Sequence, residues 1–175
     1  MPQFTLKNKK KLTVRPLKAA DYDPVQEYLK LLGTETIFTN QYPGRPKRER
    51  EATVRQYEDT NNFYLGAFDG KKVVGIISAG IVNPTHPWGG TFCEFGVHML
   101  EKYTGQGLGK YFMKSLEKWA RSKKMRQIKA SVRHTNLKGI NLYLKSGFLI
   151  EGLKRDTAYI HNEWHHEYII SKDLT

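Results

Sequence analysis

Between Thr91 and Phe112 the sequence TFCEFGVHMLEKYTGQGLGKYF changes its hydrophobic period across a loop with three glycines. Up to Met99 the residues alternate. Phe92, Glu94, Gly96 and His98 fall on one side of an extended strand, and Cys93, Phe95, Val97 and Met99 on the other. From Gly107 the period is helical, with Leu108, Phe112, Leu116 and Trp119 spaced by four, four and three, so one apolar stripe faces the core. A glycine loop between a strand and a helix lets backbone N–H groups converge on an anion, and the helix N-terminus adds about half a positive charge. The loop is therefore either an anion cradle or a tight turn, and its flanks commit the chain to a mixture of strand and helix.

The rest of the chain extends that mixture. LTVRPL (Leu12 to Leu17) alternates like a strand, and Asp21 or Asp23, followed by Pro24, is placed to cap a helix reaching about Leu32. A loop with exposed-looking Phe38 and Tyr42 is expected from Gly33 to Arg48, and a second helix over about Lys47 to Asp59. NFYLGAF and VVGIISAGIV, joined by an Asp69-Gly70 turn, read as a β-hairpin. QIKASVR is a further strand, NLKGINLYLKSGF a short helix stopped by Gly147, and FLIEGLKRDTAYIHNEWHHEYIIS two closing strands. This order predicts a single α/β domain over 1–175, with a mixed, mostly antiparallel central sheet flanked by helices on both faces.

With 175 residues, the chain is long enough to bury roughly 70% of its unfolded surface in one core. There are 29 Lys and Arg against 17 Asp and Glu, a formal net charge of +12, which predicts an anionic partner without choosing one. The lone cysteine, Cys93, permits no internal disulfide and points to an intracellular home; it reads as core rather than nucleophile. The longest apolar run, from Val73, is too short and glycine-broken to span a bilayer, so a cytoplasmic protein is expected.

Two phosphate motifs fail at the loop. A Walker loop needs a hydroxyl after its lysine for magnesium, and Lys110 is followed by Tyr111. A dinucleotide fold needs an acidic residue about twenty positions on. From Lys118 to Ile150 there is no Asp or Glu, while nine Lys and Arg residues stand in the span: Lys118, Arg121, Lys123, Lys124, Arg126, Lys129, Arg133, Lys138 and Lys145. They form a solvated basic face or a positive rim around a polyphosphate.

Taken with a second block, the loop resembles the GNAT acyltransferase superfamily, which transfers acetyl groups from acetyl-CoA to amines. The family's glycine loop, [QR]xxGx[GA], is matched by Thr104-Gly105-Gln106-Gly107-Leu108-Gly109, with Thr in the first position. VRHTNLKGINLYLKSGF is similar to the family's VRxxNxxAxxLYxxxGF, with Gly139 for the usual Ala. The resemblance spans about Leu12 to Ile170 and is strongest from Glu94 to Phe148. It implies acetyl-CoA as co-substrate, with Thr104 to Gly109 and Lys110 around the pyrophosphate, Asn136 near the pantetheine or phosphate arm, and the backbone of Val97, His98 and Met99 pairing with pantetheine. It implies Tyr143 as the group that protonates the leaving thiolate, and a carboxylate on the strand before the loop as the base. Glu94 is the first candidate if burial raises its pKa. His98 is the second, and four strand residues, roughly 13 Å, keep the two from forming a dyad.

His161, His165 and His166 invite a metal reading, but the stretch reads as a loop entering a strand with no cysteine nearby, so no metal is expected. His166 also stands where relatives often carry Asp. Trp88, Trp164, the loop from Phe38 to Tyr42 and the segment from Tyr159 to His165 are candidate walls of an acceptor site. The acceptor is left open between a small-molecule amine and a protein N-terminus. The alternative is an RNA-associated or ribosome-associated module on a silent fold; nucleic acid is disfavoured because Trp119 is the only aromatic between Lys118 and Arg133. A membrane partner is not expected, and a homodimer is possible.

Overall fold

A computed structural model describes residues 3–174. Eight strands and four α-helices follow the order β1 (Gln3–Thr5), β2 (Lys11–Pro16), α1 (Tyr22–Glu35), α2 (Arg50–Glu58), β3 (Asn62–Asp69), β4 (Lys72–Ile81), β5 (Phe92–Met99), α3 (Leu108–Ser122), β6 (Gln127–Arg133), α4 (Leu137–Lys145), β7 (Leu149–Ile160) and β8 (Glu163–Asp173). Hydrogen-bonded neighbours run β1-β2-β3-β4-β5-β6-β8-β7. The pairing is mostly antiparallel, with β5 and β6 parallel, as the connection through α3 requires. The expected mixed α/β sheet is thus observed. The chain divides into two compact units, Met1–Gly80 with Gly96–Phe112, and Ile81–Phe95 with Met113–Thr175.

In the first unit, alternation builds the core. Leu12 and Val14 of β2, each 1% exposed, point inward while Lys11 and Arg15 point out. The hairpin β3–β4 forms as expected, with Asp69 paired to Lys72 across its turn. β1, which was not expected, pairs Gln3 to Thr5 with Lys11 to Thr13; three residues are too few to show a period.

Helix ends differ from expectation for chemical reasons. Asp21 stands at the N-cap position of α1 without capping it. Its carboxylate instead takes a two-pronged ion pair from Arg15, at 2.6 and 2.7 Å, and accepts the Lys18 N–H at 2.8 Å. Burial pushes the Asp21 carboxyl up, but Arg15 and the Lys18 N–H outweigh it and hold it below its usual range. α1 also continues through Gly33 to Glu35, beyond the expected stop. α2 begins at Arg50 because the Glu49 carboxylate accepts the Glu51 and Ala52 N–H groups.

α3 buries Leu108, Phe112, Leu116 and Ala120 completely. The fourth member of its stripe is Ala120, four residues after Leu116, and the expected Trp119 is only half-buried. In the second unit β7 and β8 form a hairpin whose tip is a two-residue turn, His161 and Asn162, with φ of 51° and 65°. That is the doubly left-handed turn favoured between twisted strands. The expected loop from Tyr159 to His165 is therefore paired strand on both sides of a tight turn, with Tyr159 opposite Trp164.

Candidate active site

Within the first unit the glycine loop leaves β5 through a 3-10 turn, Glu101–Tyr103, and enters α3 at Leu108. Its start is anchored through Asp69. The Tyr103 hydroxyl donates to Asp69 at 2.7 Å, and Lys10 pairs with the same carboxylate oxygen. The Lys10 ammonium, then the Tyr103 hydrogen bond, hold the Asp69 carboxyl below its usual range, while burial and that bond push the Tyr103 phenol up to about 12. Gln106 fastens the middle: its carbonyl accepts the Lys7 N–H at 3.3 Å and its Oε1 the Asn8 N–H at 3.2 Å. The Thr104 hydroxyl donates back to the Glu101 carbonyl at 2.9 Å.

Thus fixed, the loop turns through Gly105 and Gly107, with φ of +69° and +93°. Both values lie where an L side chain is strained. A Cβ at Gly105 would meet no atom within 4 Å, so the protein leaves open space beside a backbone that only glycine adopts easily. The first N–H groups of α3 lack intrahelical acceptors by construction. Anchored backbone, open space and a helix N-terminus together fit an anion such as a pyrophosphate.

His98, also in the first unit, lies against Tyr28 of α1. The Tyr28 hydroxyl and His98 Nδ1 are 2.8 Å apart, and the rings stack at 5.6 Å and 28°. Burial, with a smaller push from Arg48, lowers the imidazole to about 4, while burial raises the Tyr28 phenol well above its ordinary value. His98 is therefore a neutral imidazole at pH 7, with one nitrogen committed to Tyr28. No periodicity in α1 marks Tyr28 as the partner of His98; it reads as one more buried apolar position.

The second unit holds Tyr143 and Asn136 on α4. Asn136 is the N-cap, its Oδ1 accepting the Gly139 N–H at 2.9 Å. At the other end the Phe148 N–H bonds the Tyr143 carbonyl and the Gly147 N–H bonds the Leu144 carbonyl, both at 3.0 Å, with Gly147 at φ +85°. This pair of bonds is a Schellman motif, and the Tyr143 and Phe148 rings, 6.0 Å apart, make its hydrophobic contact. Phe95 packs edge-on to Tyr143 at 5.6 Å and 79°. The block LYxxxGF thus encodes a helix stop that fixes one tyrosine. Tyr143 is 7% exposed, burial pushes its phenol up to about 12, and its hydroxyl has no protein hydrogen-bond partner among the described residues.

Glu94 pairs in register with Lys129 on β6 and is exposed, so the burial that its candidacy as a base called for is absent. Cys93 beside it is completely buried, and burial pushes its thiol up to about 11, in keeping with a core residue. The basic span is not one uniform rim: Arg121 bonds Glu117 and the Leu174 carbonyl, and Lys129 lies over the Phe92 ring at 4.9 Å. Trp88 is 90% exposed, and Trp164 packs against Tyr159 at 4.9 Å on the β7–β8 hairpin. His165 and His166 sit on β8 and His161 at the turn. Among the described residues no group of three or more His, Cys, Asp or Glu side chains is placed to hold a metal ion. Among the described residues no helix is long and apolar enough to cross a membrane.

The model of the Acetyltransferase (GNAT) family matches residues 31–148. Among solved structures, the acetyltransferase of the GNAT family from Streptococcus pneumoniae superposes with a TM-score of 0.84 at 24% identity, covering 94% of this chain and 99% of that one. An N-acetyltransferase from Staphylococcus aureus Mu50 gives 0.82 at 19%, covering 94% and 99%. A GNAT superfamily phosphinothricin acetyltransferase from Sinorhizobium meliloti, solved in complex with acetyl-CoA, gives 0.78 at 19%, covering 93% and 88%. No curated protein matches the chain.

Proposed function

The chain belongs to the GNAT acetyltransferase family, and on that premise we propose that it is an acetyl-CoA-dependent N-acetyltransferase acting on a primary amine by direct attack. We take residues 1–175 to work as one acetyltransferase domain. The observation that carries the reading is Tyr143: a buried side chain, locked by the end of α4, whose hydroxyl has no hydrogen-bond partner among the described residues. A hydroxyl on a side chain held so firmly, with no hydrogen-bond partner among the described residues, is open to a ligand.

Acetyl-CoA supplies an activated acetyl group on a thioester. The Thr104 to Gly109 loop and Lys110 are assigned to its pyrophosphate, and the backbone of Val97, His98 and Met99 to its pantetheine arm. Asn136 is assigned to positioning the same arm, its carbonyl oxygen serving also as the N-cap of α4. Tyr143, held at about 12, keeps its proton at neutral pH and is suited to donating a hydrogen bond to a thiolate sulfur.

The acceptor must lose a proton, because an ammonium has no lone pair. Glu94 is assigned this proton: it is exposed, so it passes the proton on to water. His98 is the weaker candidate, since its Nδ1 is already committed to the Tyr28 hydroxyl at 2.8 Å. The balanced reaction forms one C–N bond and breaks one C–S bond, with the amine proton leaving to water and the thiolate taking one up.

A thermal-unfolding titration with acetyl-CoA, followed by thiol release in the presence of an amine panel, tests the reading. A rise in Tm that saturates with acetyl-CoA is expected. No rise at millimolar concentration overturns it.

A further inference from the structure

Two buried polar side chains of the second unit have no task in the scheme above. Arg133 ends β6, and in the β6–β8 register it stands opposite Glu167, so Arg133, Glu167 and His165 share one face of that strand pair. Arg133 is 7% exposed and His165 6%. Nη1 of Arg133 and Nδ1 of His165 are fully buried and meet no hydrogen-bond partner. Glu167, the carboxylate nearest by register, forms no ion pair with the guanidinium, nor does any other described acidic residue. The neighbouring His134 does not relieve this: its Nδ1 is taken up by the His166 backbone, and its ring stands 6.0 Å from that of His165.

A guanidinium cannot escape the cost of burial by deprotonating. Buried without an anion it destabilises the fold, and native proteins keep such groups where a ligand completes them. The fork of Arg133, with the His165 imidazole on the same face two strand positions from Glu167, matches the lone pairs of a carboxylate or phosphonate. The register also puts this pair on the face of Glu94, since Glu94 pairs with Lys129, and Lys129, Ser131 and Arg133 alternate along β6. Glu94 and Arg133 are thus four strand residues apart, roughly 13 Å at the backbone.

We propose that Arg133 and His165 form an oxyanion subsite that recognises an acidic group carried by the acceptor amine, and so select amino acid-like acceptors over simple amines. The proposal rests on the acetyltransferase reading for its acceptor, but the subsite itself can be tested without turnover.

The first arm titrates acetate and methylphosphonate separately, following the His165 ring signals by NMR, assigned from His165→Gln. A saturable shift in the wild type that is absent in Arg133→Met is expected; the anion giving the tighter response identifies carboxylate or phosphonate. No saturable shift with either anion, or the same shift in Arg133→Met, overturns the proposal. The second arm is stability. Removing an unpaired buried charge should raise the Tm of Arg133→Met by a few degrees, whereas a supporting structural role would lower it and overturn the proposal. Failure of Arg133→Met to fold counts as that lowering; in Arg133→Lys, which keeps the charge but loses the planar fork, the saturable shift should weaken, and an unchanged shift would overturn the proposal. The third arm compares phenylalanine with phenethylamine, and 1-aminoethylphosphonate with ethylamine, by thiol release. The acidic amine of at least one pair should be favoured by about tenfold or more in kcat/KM, and the preference should collapse in Arg133→Met. Acetyl-CoA raising the Tm while neither anion binds sinks the subsite alone; anion binding without any response to acetyl-CoA sinks the acetyltransferase reading instead.

Discussion

Tyr143 and Phe148 are the two ends of one helix stop: the Phe148 N–H bonds the Tyr143 carbonyl at 3.0 Å, and their rings stand 6.0 Å apart. Gly147, between them at φ +85°, makes the geometry accessible. In Gly147→Ala a methyl group is forced into the left-handed region, at a cost of about 1 to 2 kcal/mol. For a chain of this size that is a drop in Tm of roughly 2 to 8 °C. Thiol release should fall with it, because the carbonyl that ends the helix belongs to the tyrosine itself. Urea midpoints and turnover on the same samples check this; full activity with lowered stability would separate Tyr143 from the helix stop.

Tyr143→Phe removes a hydroxyl that bonds no group among the described residues, so stability should change by less than about 0.5 kcal/mol. Thiol release should fall by roughly 10²-fold or more, with acetyl-CoA affinity retained. Equal turnover in the two proteins would remove Tyr143 from the chemistry.

Gly105→Ala puts a methyl group into space that no protein atom occupies, at a φ of +69°. The expected signature is a split. Stability falls by about 1 kcal/mol from the backbone strain, while the KM for acetyl-CoA rises more than that strain alone would suggest and kcat for saturated enzyme holds. Calorimetric titration of acetyl-CoA into both proteins is the check, and unchanged affinity would place the cofactor elsewhere.

The half-buried, desolvated imidazole of His98 sets a pH dependence. With a folded pKa of about 4 against an ordinary value of 6.5, the unfolded chain binds more protons than the folded one between those limits. Stability is therefore fully present above pH 6.5 and declines as pH falls through that window, by up to about 3 kcal/mol. His98→Gln should flatten this slope in urea midpoints measured from pH 7 to pH 4. A slope unchanged in the variant would assign the acid sensitivity to other groups.

Local patterns carried much of this in the sequence. The alternation through β5, the switch of period at the glycine loop, the Asp-Gly hairpin and the stop at Gly147 are properties of short segments, and each formed where its residues put it. The short β1 was missed because three residues show no period, and Asp21 failed as a cap because Arg15, six residues away, offered its carboxylate a stronger partner. His165 and His166 read as loop residues, since a doubly left-handed turn at His161 and Asn162 has none of the glycine that usually announces it.

By itself the sequence determined the fold class, the place of the glycine loop and the identity of the tyrosine at the end of α4, because backbone conformation and hydrophobic period are written within a dozen residues. Tertiary structure decided the surroundings of the ionisable groups. Tyr28 reaches His98 across 70 residues, Glu94 is exposed rather than buried, and Arg133 Nη1 and His165 Nδ1 are buried with no hydrogen-bond partner among the described residues. Desolvation and charge pairing depend on what packs around a group in space, and no spacing along the chain encodes them.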